Sequence, residues 1–87
     1  MPSIKEKMAG VMALPKEIAL DMPLVMATGR GEVSIENYKN ILEFTETKLR
    51  IGTKEGMMVI EGERLKLRQI TTENLLISGR ITEIKYA

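Results

Sequence analysis

The side chains that run most enzymes are missing from this chain, which contains no histidine and no cysteine. There is therefore no ordinary general base near neutral pH, no thiolate nucleophile, and neither of the commonest zinc ligands. Carboxylates remain, at Glu32, Glu36, Glu43, Glu46, Glu61, Glu63, Glu73 and Glu83, and a close pair of them could share acid and base duties. They fall instead at alternate positions of strand-like stretches or in turn clusters, which is where solvated side chains belong. No catalytic, cofactor-binding or metal-binding residue is assigned, and the chain is expected not to be an enzyme.

Two weaker signals concern binding. Gly29-Arg30-Gly31 holds the ingredients of an anion-binding loop, since glycine lets backbone approach an anion and arginine can grip it twice. No helix pattern follows it, so a plain turn is the better reading. Lys48, Arg50, Lys54, Arg64, Lys66 and Arg68 stand at alternate positions on successive strand-like stretches and could line one sheet face. That gives a second functional class, a nucleic-acid or anionic-surface binder. Interleaved glutamates dilute the stripe, and there are too few aromatic residues for base stacking, so no nucleic acid is expected. Met8, Met12, Met22 and Met26 could form an adaptable contact surface, but at this spacing core is the expectation.

The elements that must position these residues change character near residue 22. Ser3 and Glu6 have the spacing of a capping box. Ile4, Met8, Val11 and Met12 then fall on one helical face, predicting a short amphipathic α-helix within an N-terminal segment, residues 1–20. Gly10 weakens it and Pro15 limits its length. Alone it would be marginal, so it needs a surface: the chain's own sheet, a partner, or a membrane.

From Leu24 the apolar period becomes twofold. Strands are expected near 24–28, 32–37, 41–45, 48–52, 57–61, 64–70, 75–78 and 80–86. Turn-forming clusters separate them at Gly29-Arg30-Gly31, Asn37-Tyr38-Lys39-Asn40, Lys54-Glu55-Gly56 and Thr72-Glu73-Asn74. Such short connections predict a mainly β fold: an antiparallel meander of about seven or eight short strands, curled into a roll or sandwich. Val33/Ile35, Leu49/Ile51, Leu65/Leu67 and Ile81 recur every sixteen residues, which leaves a short β-solenoid as the rival architecture. Alternation turns Leu49, Ile51, Leu65 and Leu67 inward. At Ile81-Thr82-Glu83-Ile84 the apolar spacing slips from two to three, which predicts a β-bulge that returns Ile84 and Tyr86 to the core side. Met57-Met58-Val59-Ile60 and Leu75-Leu76-Ile77 are apolar at successive positions, so both of their faces are expected to be covered.

At 87 residues the chain has room for one domain, with 22–87 as its β part. A net charge of +1 provides no long-range field toward nucleic acid or anionic lipid. No apolar run is long enough for a membrane span or the core of a signal peptide, so a cytoplasmic address is expected.

Leu14-Pro15, Asp21-Met22-Pro23-Leu24, Gly29, Ile35-Glu36-Asn37 and Phe44 stand in an order and spacing that resembles the YabP/YqfC family. Val59-Ile60-Glu61-Gly62, Leu65-Lys66-Leu67 and Leu76-Ile77-Ser78-Gly79-Arg80-Ile81 strengthen the resemblance, particularly to its YqfC side. Asn40 stands where such chains tend to carry glycine, and the N-terminal segment is less basic than theirs. The resemblance implies a non-enzymatic role in endospore formation, at the cortex and coat stage. It also implies a place in the mother-cell cytoplasm, beside the outer forespore membrane. A protein partner is expected, either a membrane protein of the developing spore or further copies of the chain. Glu36, Asn37, Tyr38 and Lys39 are the contact candidates, because tyrosine joins apolar area to a polar tip; the alternative reading of this loop is a plain hairpin turn.

Overall fold

The computed structural model describes residues 22–87, so the helix expected within 1–20 lies outside the described residues. The strands are β1 (Leu24–Thr28), β2 (Glu32–Glu36), β3 (Tyr38–Phe44), β4 (Lys48–Thr53), β5 (Gly56–Ile70) and β6 (Asn74–Tyr86). They form one sheet in the order β1-β2-β6-β5-β4-β3, and every neighbouring pair is antiparallel. That direction excludes the solenoid.

Six strands replace the seven or eight expected. The segments near 57–61 and 64–70 are one strand, as are those near 75–78 and 80–86. Gly62 and Gly79 fall in the gaps between the expected strands, but each is a bend inside a long strand. Their strands cross closely there. A Cβ on Gly62 would collide with the Arg80 carbonyl oxygen, and one on Gly79 would lie 2.7 Å from that of Arg64. Gly79 also has φ of 140°, and Arg64 opposite it has φ of 53°, so the bend uses backbone that ordinary residues resist.

The bend divides the sheet into two four-stranded halves that share one hairpin. In one half β3 and β4 pair onto the first part of β5, and the last residues of β6 lie on its far side. In the other, β1 and β2 pair onto the start of β6, with the end of β5 beyond. The weak sixteen-residue recurrence now has a structural meaning. In the turn between β1 and β2, the carbonyls of Arg30 and Gly31 accept from the amides of Ile81 (2.7 Å) and Gly79 (3.2 Å). Sixteen residues on, in the turn between β3 and β4, the carbonyls of Glu46 and Thr47 accept from Leu65 (2.8 Å) and Gly62 (3.0 Å). Each hairpin therefore clamps one half of the shared one by the same means.

The expected turn at 37–40 also needs correction. β2 and β3 do not pair with each other; Asn37 alone separates them, and Tyr38 already begins β3. In a flat sheet β2 and β3 would stand about 19 Å apart, four spacings of ~4.8 Å, whereas one intervening residue spans at most about 7 Å. The sheet must curl until the end of β2 reaches the start of β3 at this corner. Asn37 makes the corner with φ of 66°, a conformation asparagine tolerates better than most residues.

Curling buries one face. Val33, Ile35, Leu49, Ile51, Ile60 and Ile77 are fully enclosed, with Met58, Leu65, Leu75 and Ile81 nearly so. Leu67 packs half-buried against them. The positions expected to face inward therefore do so. Val59, on the opposite face, is also buried, and it pairs with Arg50 on one side and Lys85 on the other. Val59 is thus flanked on both neighbouring strands by residues with long aliphatic stems.

Candidate interaction surface

The polar residues singled out in the sequence occupy positions fixed by this register. Glu43 pairs with Arg50 across β3 and β4, and their charged groups meet at 2.6 Å. Lys85 bridges Glu61 and Glu83, each at 3.3 Å. Hydrogen bonds donated to Glu83 and then Glu61, together with their negative charges, hold the Lys85 ammonium above its ordinary pKa of 10.5. These carboxylates are thus spent on cations along the outer face. A shallow hollow beside the corner is lined by Ser34, Glu36, Gln69, Thr71, Asn74, Leu75 and Leu76. It offers one carboxylate and no second acid to work with. Among the described residues no cluster of three acidic side chains is placed to hold a metal ion.

The six cations do not assemble into a stripe. Lys48 and Arg50 project from β4 opposite Glu61 and Glu43, Lys54 lies in the turn after β4, Arg64 and Arg68 fall within register shifts of β5, and Lys66 between them pairs with Ser78, beyond the bend. Gly29-Arg30-Gly31 is a turn whose carbonyls point at β6. The Gly31 amide donates back to Thr28 O at 3.4 Å, and the loop acts as a clamp.

Glu36, Asn37, Tyr38 and Lys39 come together at the corner, where two of them work inward. The Asn37 side-chain amide donates to the Met22 carbonyl at 2.9 Å, and the amides of Asn37 and Tyr38 both donate to Glu73 O, at 2.7 and 3.4 Å. Tyr38 is 8% exposed, packs with the core, and donates its hydroxyl to the Thr71 carbonyl. The corner thus rounds the tip of the β5–β6 hairpin and is fastened to it. Lys39 is exposed and Glu36 half-buried.

The bulge expected near residues 81–84 is present. Glu61 faces Glu83 and Gly62 faces Ile81, which leaves Thr82 as the extra residue, and its hydroxyl donates to Glu61 O at 3.1 Å. Ile84 and Tyr86 consequently share a face with their partners Ile60 and Met58. They are nonetheless 37% and 52% exposed. On the opposite margin Phe44, beside Leu49, is exposed too. An apolar row therefore runs Phe44, Leu49, Ile60, Ile84 across four strands, buried in the middle and open at both ends. Sequence reasoning placed Ile84 and Tyr86 on the correct face but missed their exposure. The signal available was position: they end the last strand, beyond the reach of β2.

What the fold and these surfaces define is a small antiparallel β-sheet domain with apolar margins. The family comparison is more particular. The chain belongs to the YabP family, whose model matches residues 21–87. It is also similar to the uncharacterized protein YqfC of Bacillus subtilis (strain 168), at 28% identity over 83 residues, covering 95% of this chain and 89% of that protein. Among the described residues no helix is long and apolar enough to cross a membrane.

Proposed function

We propose that this chain is a non-enzymatic assembly module of endospore formation. It acts in the mother-cell cytoplasm at the cortex and coat stage, against a membrane protein of the developing spore or against further copies of itself. The observation that carries this reading is the family match, which spans the whole sheet from residue 21 to residue 87. The open apolar margins at Phe44, Ile84 and Tyr86 agree with it, because exposed apolar side chains on so small a domain favour association. At the corner, Lys39 and Glu36 are the contact residues, while Asn37 and Tyr38 hold them in place.

The test is deletion of the gene in a spore-forming bacterium that carries it, followed by complementation with a tagged chain. Deletion should lower the yield of heat-resistant spores and leave vegetative growth unchanged. The tagged chain should recover a membrane protein from cross-linked sporulating cells, and Lys39→Glu should reduce that recovery. Normal spore yield with no membrane protein recovered would refute the proposal.

A further inference from the structure

β6 is paired on both sides only along its first part. β2 reaches as far as Ser78, and the turn after β1 takes the amides of Gly79 and Ile81. From Thr82 to Tyr86 the only neighbour among the described residues is β5. All five residues are exposed. The backbone groups with no strand partner among the described residues can be identified. The Ala87 amide donates to Met57 O at 2.9 Å, and antiparallel alternation gives Lys85 and Glu83 the same inward direction. The N–H and C=O groups of Ile84 and Tyr86 therefore point outward, away from β5. Such an edge is a template for another strand.

The other margins are less suited. β3 is interrupted by two register shifts, and the far side of β5 has shifts on either side of Lys66 and Leu67. β1 is regular, but its sequence Leu-Val-Met-Ala-Thr carries no charge with which to select a register. The end of β6 is regular through four consecutive pairs, from Glu83 to Tyr86, and it carries one charge of each sign.

The geometry points to a second copy of this chain as the occupant: two Thr82–Tyr86 edges join antiparallel about a twofold axis at Ile84. Ile84 then faces Ile84 of the second copy, and each Glu83 faces Lys85 of the other. Moving the axis to residue 85 would set lysine against lysine, and moving it to residue 83 would set glutamate against glutamate. Only the Ile84 register is self-complementary, as a twofold contact requires. It also places the outward N–H and C=O of Ile84 opposite their counterparts. The apolar row Phe44, Leu49, Ile60, Ile84 continues into the second copy, and the ladder of Lys85 with Glu61 and Glu83 extends across the joint. This deepens the assembly reading by naming one partner and one surface.

Sedimentation velocity on the full chain over a range of concentrations tests it. The expected result is a reversible monomer–dimer equilibrium, with amide exchange at Ile84 and Tyr86 slowing as concentration rises. Glu83→Lys and Lys85→Glu each place like charges opposite one another twice, and each should weaken dimerisation by about tenfold or more. The double swap Glu83→Lys/Lys85→Glu should restore it, and an equimolar mixture of the two single variants should form a heterodimer. Circular dichroism establishes that each variant is folded. A chain that stays monomeric, a dimer indifferent to the single reversals, or a swap that restores nothing would each overturn the inference. A monomeric chain that still recovers its membrane partner would overturn this inference and leave the assembly role standing.

Discussion

Replacing Gly79 by alanine should be among the most damaging small changes this domain can suffer, and the reason separates into two parts. At φ of 140° the backbone is strained for any residue with a Cβ, which costs about 1–3 kcal/mol. The new carbon would also lie 2.7 Å from the Arg64 carbonyl oxygen and 3.0 Å from that of Glu63. Those oxygens belong to the backbone of the facing strand and cannot swing aside. Together the two effects should remove about 3 kcal/mol or more, a fall in Tm of about 12–24 °C for a domain of this size. Three further glycines isolate the parts. Gly56→Ala has φ of 113° and open space, so it reports strain alone; Gly62→Ala meets Arg80 without a left-handed φ, so it reports the collision alone; Gly31→Ala has neither. Urea unfolding should show Gly31→Ala within about 0.5 kcal/mol of the parent, Gly56→Ala intermediate, and Gly62→Ala and Gly79→Ala the two most damaging, since both set a Cβ against a backbone carbonyl oxygen of the facing strand. A Gly79→Ala protein as stable as Gly31→Ala would refute the account of the bend.

Tyr38→Phe keeps the ring in the core and deletes the hydroxyl that reaches Thr71 O; thermal unfolding should show a loss of about 1 kcal/mol, or roughly 4–8 °C, and an unchanged Tm would mean the corner is not fastened by that bond. Because the Lys85 pKa is raised in the folded chain, its stabilising effect is complete below the unfolded value near 10.5 and disappears as pH climbs through the folded value. NMR titration of the Lys85 side chain should give a midpoint above 10.5, moving back toward it in Glu83→Gln, and a midpoint at or below 10.5 in the parent would contradict the bridge.

The core was legible because alternation is a local signal: Val33, Ile35, Leu49, Ile51, Leu65 and Ile81 recur at fixed spacing, and all are buried. The bulge at Thr82 was legible for the same reason, as a slip in that spacing. The strand count was not. Glycine marks a turn or a bend with equal readiness, and only the close crossing of Gly62 and Gly79 with the opposite strand distinguishes them. The corner was misread through Asn37, whose left-handed φ serves a hairpin and a change of direction alike. Residue type makes Tyr38 a contact candidate, whereas its burial follows from which end of the sheet the chain crosses to, a fact no local pattern carries. The exposure of Ile84 and Tyr86 was hidden for a related reason: periodicity assigns a side chain its face, but coverage depends on how far the neighbouring strand extends.

Since the long β5–β6 hairpin supplies two strands to each half of the sheet, neither half owns a complete set of backbone partners. Releasing β1 and β2 exposes one flank of the hairpin, and releasing β3 and β4 exposes the other, so damage at either end is felt throughout. Such a molecule melts as one cooperative unit. Its two ends have no separate existence, and cutting the chain between its paired hairpins would leave fragments rather than subdomains.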